Sequence, residues 1–400
     1  MSGVVVIGAG QAGASLVAKL RSEGYEGPIT LIGEEPVPPY QRPPLSKKYL
    51  LGEMALERLY LRPESYYAEA GIDLRLGVRV TGIDRAARAV VMGAERLGYE
   101  HLVLTTGSRP RHLPAAIGGD LGGVHVVRTL ADVYAMAPGF RPGARVLIVG
   151  GGYIGLEAAA VAASRGMQVV LVEMAPRILQ RVAAKETSDY FRALHGRHGV
   201  DIREGVGLER LLGDGQVIGA RLSDGTELAV DMVIVGVGIV PDTALAEAAG
   251  LAIDNGIAVD AQGRTSDPAI WAAGDCASFP HNEGRLRLES VPNAIDMADC
   301  VAGNILGRGV DYVPKPWFWS DQYDVKLQIT GLSTGYDRIV TRDGGAAVSF
   351  WYYRGDQLLA VDAMNDPRAY MVGKRLIDAG KSADPAVVAD AGADLKVLLG

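Results

Sequence analysis

What most limits the fold of this 400-residue chain is one short unit that occurs twice. Val4-Val5-Val6-Ile7 is a continuous apolar run that leads straight into Gly8-Ala9-Gly10-Gln11-Ala12-Gly13. An apolar run of this kind, without polar alternation, reads as a strand buried on both faces of a parallel sheet. Leu16, Val17 and Leu20 then mark one face of a helix, and Ile29-Thr30-Leu31-Ile32 marks a second strand ending at Gly33-Glu34. The unit returns 142 residues later. Arg145-Val146-Leu147-Ile148-Val149 runs into Gly150-Gly151-Gly152-Tyr153-Ile154-Gly155, a small-residue helix covers Leu156 to Ser164, and Val169-Val170-Leu171-Val172 ends at Glu173. That distance is too long for a solenoid, whose periods run about 20–50 residues. It fits two nucleotide-binding domains.

Each glycine of the unit has its own purpose. The first allows a tight turn out of the strand, the second lets backbone approach a pyrophosphate, and the third lets helix and strand pack closely. The phosphates then meet free N–H groups and the positive end of the helix dipole. A carboxylate about 20 residues further on accepts hydrogen bonds from an adenosine ribose. Glu34 lies 21 residues after Gly13, and Glu173 lies 18 after Gly155. Glu173 favours NADH, because a carboxylate holds the free 2′ hydroxyl of NAD and repels the 2′ phosphate of NADP. Arg177 could serve such a phosphate; a solvated or helix-capping role is the alternative.

Residues 78–104 and 206–235 alternate in polarity and carry Gly turns, so each copy reads as a parallel α/β core with an inserted β-meander. From Trp317 the texture changes, with Trp317, Phe318, Trp319, Tyr323, Phe350, Trp351, Tyr352 and Tyr353 among alternating strands. The fold expected is α/β, with two Rossmann-like dinucleotide-binding domains and a C-terminal α+β domain over 320–400. A net charge of −7 argues against general nucleic-acid binding. No apolar stretch reaches the roughly 18 residues of a membrane span. The first residues read as strand, turn and helix rather than as a signal peptide, so a cytoplasmic location is expected. The chain has only two cysteines, Cys276 and Cys300, too few for a disulfide scaffold or a four-thiolate metal or iron–sulfur site and 24 residues apart, unlike the close pair of a redox dithiol.

Several segments carry a resemblance. Pro43-Pro44-Leu45-Ser46-Lys47, Thr105-Thr106-Gly107, Gly151-Gly152-Tyr153-Ile154-Gly155-Leu156-Glu157 and Gly236-Val237-Gly238 leading to Pro241 come first. Gly274-Asp275-Cys276-Ala277, Ser290-Val291-Pro292-Asn293-Ala294 and Trp317-Phe318-Trp319-Ser320-Asp321-Gln322 follow, the last two being the more specific. With these segments the chain resembles, over nearly its whole length, the FAD-containing, NADH-dependent ferredoxin reductases that serve cytochrome P-450 monooxygenases and ring-hydroxylating dioxygenases. The resemblance implies a glutathione-reductase-like two-dinucleotide flavoprotein. In it, residues 1–110 and 241–319 bind FAD, 111–240 bind NADH, and 320–400 form the C-terminal domain.

By the same resemblance Gly8, Gly10, Ala12, Gly13, Glu34, Arg42, Lys47, Val80, Thr106, Gly107, Arg128, Asp275, Val291 and Trp319 would hold FAD. Gly150, Gly152, Tyr153, Ile154, Gly155, Glu173 and Gly238 would hold NADH. Lys47 would lie beside the flavin N5 with Glu157 close by, and these two are the candidate catalytic pair. Plainer roles stand beside these: Asp275 as a helix cap, Trp319 and Tyr153 as packing, Lys47–Glu157 as a structural ion pair with Glu157 in the first turn of its helix. Peroxidase relatives place a flavin-facing cysteine near the turn occupied here by Tyr40 to Leu45, which has none. Electrons are therefore expected to leave for a separate one-electron acceptor, a 2Fe-2S ferredoxin that feeds a cytochrome P-450 or related oxygenase. Rubredoxin reductases, monodehydroascorbate reductases and redox-controlled interaction flavoproteins of the apoptosis-inducing-factor type are the alternatives. A basic docking patch would have to be assembled from such residues as Arg285, Arg287, Lys315 and Lys326.

Overall fold

The computed structural model describes residues 3–399. The chain divides into two compact units, and neither is continuous in sequence. The first holds the residues up to Arg42 with Ala55–Arg109 and Ile239–Pro316; the second holds Pro43–Met54, Pro110–Gly238 and the residues from Trp317 onward.

In the first unit, Gly3–Ile7 is buried at every position, as its apolar run requires. It lies between Ile29–Ile32 and Glu95–Leu104 in a sheet whose parallel strands run Ile72–Arg75, Ile29–Ile32, Gly3–Ile7, Glu95–Leu104 and Ile270–Ala272. The first half of Glu95–Leu104 also pairs antiparallel with Ala89–Met92, which pairs in turn with Gly82–Asp84. The meander expected over 78–104 is thus present, and its last strand doubles as a core strand. Helix Gln11–Ser22 buries Leu16, Val17 and Leu20 and packs against helix Val291–Ile305.

The second unit repeats the design. Its parallel sheet runs Asp201–Glu204, Gln168–Glu173, Arg145–Val149, Met232–Val235 and Val124–His125. Leu208–Asp214, Gln216–Leu222 and Glu227–Ala229 form the antiparallel meander. The C-terminal part is a five-stranded antiparallel sheet in the order Trp317–Gln322, Val325–Gly331, Gln357–Met364, Val348–Arg354 and Arg338–Asp343. Helix Pro367–Asp378 sets Ala369, Val372 and Leu376 against Trp351, Tyr353 and Val361. This sheet begins at Trp317, ahead of the boundary expected at 320, because Trp317–Gln322 is one unbroken edge strand. It also groups with 110–238 rather than standing as a third unit.

Strand Gln357–Met364 carries a buried carboxylate, Asp362, which accepts hydrogen bonds from Thr187 Oγ1 at 2.7 Å and from the Tyr352 hydroxyl. Burial pushes this carboxyl up to about 6. The native group therefore holds its proton more tightly than the unfolded one, and stability falls as pH rises from the ordinary carboxylate range through about 6. Asp362→Asn keeps an acceptor for both hydroxyls. It is expected to stabilise the protein at neutral pH by about 3 kcal/mol and to flatten the acid side of the stability profile. Denaturant midpoints measured across that range check this.

Candidate functional site

The two glycine turns are alike in detail. A Cβ at Gly8 would sit 2.2 Å from the Thr105 carbonyl oxygen, and one at Gly13 would sit 2.1 Å from the Gly8 carbonyl oxygen. Close packing of strand, turn and helix accounts for both. Gly10 is different. Its backbone is extended, with φ −97° and ψ −159°, and a Cβ there would meet nothing within 4 Å. Neither conformation nor packing within the protein requires glycine at this position, so what it keeps clear is the space in front of the turn. In the second copy, a Cβ at Gly150 would sit 2.4 Å from the Gly236 carbonyl oxygen and one at Gly155 2.0 Å from that of Gly150. Gly152, extended at φ −80° and ψ 179°, again faces open space.

Each turn feeds a 12-residue helix, Gln11–Ser22 or Tyr153–Ser164, that has no side-chain cap and no acid in its first turn. The positive end of each helix is left for an anion. Glu157 lies beyond the first turn, so the expected dipole role at that place does not apply to it.

The two acids after the second strands differ. Glu173 braces its own glycine turn, accepting from the Gly151 N–H at 2.7 Å through Oε2 and from the Ala175 N–H at 2.8 Å through Oε1. Glu34 is exposed and ion-paired with Arg79. Arg177 donates to the carbonyls of Ala183 at 2.8 Å and Ala184 at 3.2 Å and to Ser188 Oγ at 2.5 Å. It holds the turn ahead of helix Lys185–Arg197, which is a capping use of the guanidinium.

Of the other candidate FAD residues, Arg42 pairs with Glu35 at 2.7 Å and stacks over the Tyr40 ring. Val80 is buried. Thr106 donates to the Asp242 carbonyl at 2.6 Å, and the Gly107 carbonyl accepts from the Asp242 N–H. Asp275 accepts from Ser108 Oγ at 2.8 Å. The next element after it is strand Ala277–His281, so Asp275 caps no helix. Val291 opens helix Val291–Ile305, which Ser290 caps. Lys47, Arg128 and Trp319 belong to the second unit. There the Arg128 N–H donates to Asp132, and Trp319 packs on Trp317 with ring centres 5.5 Å apart. Among the candidate NADH residues, Tyr153 packs on Phe318 at 4.9 Å, and its buried hydroxyl has no partner among the described residues. Ile154 is exposed, and the Gly238 carbonyl accepts from the Arg111 N–H.

The pair Lys47–Glu157 is shielded from solvent. Lys47 Nζ lies 2.7 Å from Glu157 Oε2, and the two side chains are only 13% and 1% exposed. Lys47 reaches the carboxylate from the 3-10 turn Pro43–Ser46, where its ammonium also touches the Pro43 carbonyl at 3.3 Å. Two residues that sequence reasoning passed over complete the shell. Ser46 Oγ donates to Oε2 and Ser320 Oγ to Oε1, each at 2.7 Å. The available signal was alternation: Phe318, Ser320 and Gln322 share one face of the Trp317–Gln322 strand, and two polar residues on the face of a core-facing Phe need partners.

The thiols are not redox-active by environment. Cys276 is fully buried against the Leu104 and Ala273 carbonyls, Cys300 lies against the Val310 carbonyl, and burial raises both thiols above their ordinary range. Two of the cations expected for a docking patch are engaged internally. Arg285 holds the Val259 and Ser278 carbonyls, and Arg287 holds the Asp275 carbonyl and Glu289. Lys315 and Lys326 are exposed.

Two glycine turns that face open space at uncapped helix ends, and a shielded lysine–glutamate pair, are the features of the site. Residues 2–298 match the family described as pyridine nucleotide-disulphide oxidoreductase, and residues 317–399 match the reductase C-terminal family. The chain is 44% identical over 390 residues to a ferredoxin–NAD(P)(+) reductase of Sphingomonas, covering 96% of this chain and 94% of that one. It is 41% identical to the putidaredoxin reductase of Pseudomonas putida, covering 99% and 96%. The reductase in the crystal structure of the covalent putidaredoxin reductase–putidaredoxin complex superposes with a TM-score of 0.96 at 40% identity, covering 100% of this chain and 98% of that one. The chain belongs to the ferredoxin reductases of oxygenase systems, within the pyridine nucleotide-disulphide oxidoreductases. Among the described residues no helix is long and apolar enough to cross a membrane.

Proposed function

We propose that this chain carries electrons from NADH through FAD to a 2Fe-2S ferredoxin, which serves a cytochrome P-450 or a related oxygenase. The observation that carries the reading is the pair of glycine turns whose middle residues, Gly10 and Gly152, face open space at uncapped helix ends. When bound, FAD supplies two-electron acceptance and one-electron release, which no side chain of this protein can supply. Residues 1–110 and 241–316 form the FAD domain, 111–240 the NADH domain and 317–400 the C-terminal domain. The Gly8-to-Gly13 turn presents N–H groups to the FAD pyrophosphate, and Glu34 takes the adenosine ribose. Arg42, Val80, Thr106, Gly107, Arg128, Asp275, Val291 and Trp319 complete its binding. Lys47 holds a fixed positive charge for the flavin ring, and Glu157 holds Lys47.

The turn around Gly150, Gly152 and Gly155 receives the NADH pyrophosphate, with Tyr153, Ile154 and Gly238 about it. Glu173 excludes a 2′ phosphate, and Arg177, engaged with four backbone or hydroxyl oxygens, does not offer one a partner. Replacing Glu173 with Ser and the 79%-exposed Met174 with Arg is expected to raise the NADPH-to-NADH ratio of kcat/KM by at least about tenfold. Steady-state kinetics with both cofactors measures it. With no reactive dithiol, electrons leave for another protein in the cytoplasm. The purified yellow protein should oxidise NADH rapidly with a 2Fe-2S ferredoxin. Efficient turnover with a disulfide or with rubredoxin alone would refute the reading.

A further inference from the structure

The Lys47–Glu157 pair is the end of a longer chain. From Glu157 Oε1 the hydrogen bonds continue through Ser320 Oγ at 2.7 Å, Gln322 Nε2 at 3.2 Å, from Gln322 Oε1 to His195 Nε2 at 2.8 Å, and from His195 Nδ1 to the Tyr323 hydroxyl at 3.2 Å. Ser320, Gln322 and His195 are wholly buried, as is Glu157. Tyr323 stands in the turn after the strand, with its ring stacked on exposed His198 at 3.6 Å.

The direction of every link follows from the carboxylate. An ionised Glu157 can only accept, so Ser320 donates to it. The Ser320 oxygen then accepts from the Gln322 NH₂, which turns the Gln322 carbonyl toward His195. His195 Nε2 must carry the proton, leaving Nδ1 to accept from Tyr323. A neutral imidazole is required for this, and burial does hold His195 neutral, down to about 4. Reversing any link, for example by a turn of the Gln322 amide, sends the Ser320 proton away from Glu157 and leaves Oε1 short of a donor in a dry site. Such a loss is costly for a charged acceptor.

We propose that Ser320, Gln322 and His195 are positioning residues. They form a one-way chain of donors that holds the Glu157 carboxylate oriented toward Lys47, and so holds Lys47 in place. This extends the proposed function, since it gives the specific Trp317–Gln322 segment a task at the Lys47–Glu157 pair. The titratable groups that face the chain are Lys47 at its inner end, Tyr323 and His198 at its outer end, Tyr153 packed on Phe318 of the same strand, and Asp362 with Tyr352 on the same face of the sheet.

The test is infrared difference spectroscopy of the holoenzyme at neutral pH, with Glu157→Gln identifying the Glu157 carboxylate stretching band. Ser320→Ala and Gln322→Leu are each expected to move that band to higher frequency than in the unmodified protein, because Oε1 loses its donor or that donor's fixed direction. Tyr323→Phe, which frees Nδ1 but leaves the core intact, is expected to move it less, and Ser320→Thr to restore it. If Gln322→Leu does not fold, Ser320→Ala and Tyr323→Phe decide. A band that stays in place in both overturns the proposal. Stopped-flow flavin reduction by NADH separates it from the reading it rests on. A moved band with an unchanged rate upholds the chain and removes the role given to Lys47 and Glu157 at the flavin.

Discussion

Lys47→Met is expected to lower the unfolding free energy by about 3 kcal/mol and to slow flavin reduction by NADH roughly a hundredfold. The stability loss follows from the geometry. Glu157 is 1% exposed, and Lys47 is the cation within ion-pair distance of it, at 2.7 Å. Removing that cation leaves a buried carboxylate with two hydroxyl donors and no countercharge, which is much worse than removing both partners. Lys47→Met combined with Glu157→Gln should therefore recover much of the stability and none of the rate. Denaturant unfolding and stopped-flow absorbance measure the two effects separately. If Lys47→Met unfolds at the same denaturant concentration as the unmodified protein, Glu157 does not depend on Lys47 for its countercharge.

The second large effect comes from comparing glycines within one turn. Gly13→Ala places a methyl 2.1 Å from the Gly8 carbonyl oxygen, a backbone atom that cannot give way without breaking the turn. That variant is expected to fail in folding. Gly10→Ala places its methyl in open space with an unstrained backbone. It should fold to the same secondary structure yet emerge colourless, because the methyl occupies the approach of the FAD pyrophosphate. Gly152→Ala should remain yellow and show a KM for NADH raised at least about tenfold. Circular dichroism and the visible flavin spectrum distinguish these outcomes. A fully yellow Gly10→Ala protein would mean that the first turn does not hold the flavin.

The two parallel sheets were legible because their signals are local. Val4 to Ile7 and Arg145 to Val149 are apolar without interruption, and the glycines and acids that follow are tied to them by short spacings. The strand alternation of 78–104 also declared itself, although the parallel half of Glu95–Leu104 did not. Its pairing with Gly3–Ile7 joins residues far apart in sequence. The candidate catalytic pair came from resemblance, since nothing in a Lys and a Glu 110 positions apart indicates contact. Its supporting donors were harder still. Ser46, Ser320, Gln322 and His195 are ordinary polar residues until a turn, an edge strand and a helix join them into hydrogen bonds that end on one carboxylate. Asp275 shows the converse. Its identity suited a helix cap, and only the following strand removed that role.

The chain passes between the two units five times, after Arg42, Met54, Arg109, Gly238 and Pro316. Each unit is thus threaded through the other's sequence, and this has a consequence for how the protein is made. Synthesis runs from the N-terminus, yet the parallel sheet that begins with Gly3–Ile7 lacks Ile270–Ala272 until late in translation. The partners of Glu157 split in the same way, Ser46 and Lys47 emerging early and Ser320 near the end. Both units are therefore partly exposed through most of synthesis, the first lacking a segment until Pro316 is made and the second until the C-terminal sheet follows. Truncation from the C-terminus should yield aggregates rather than a smaller working module.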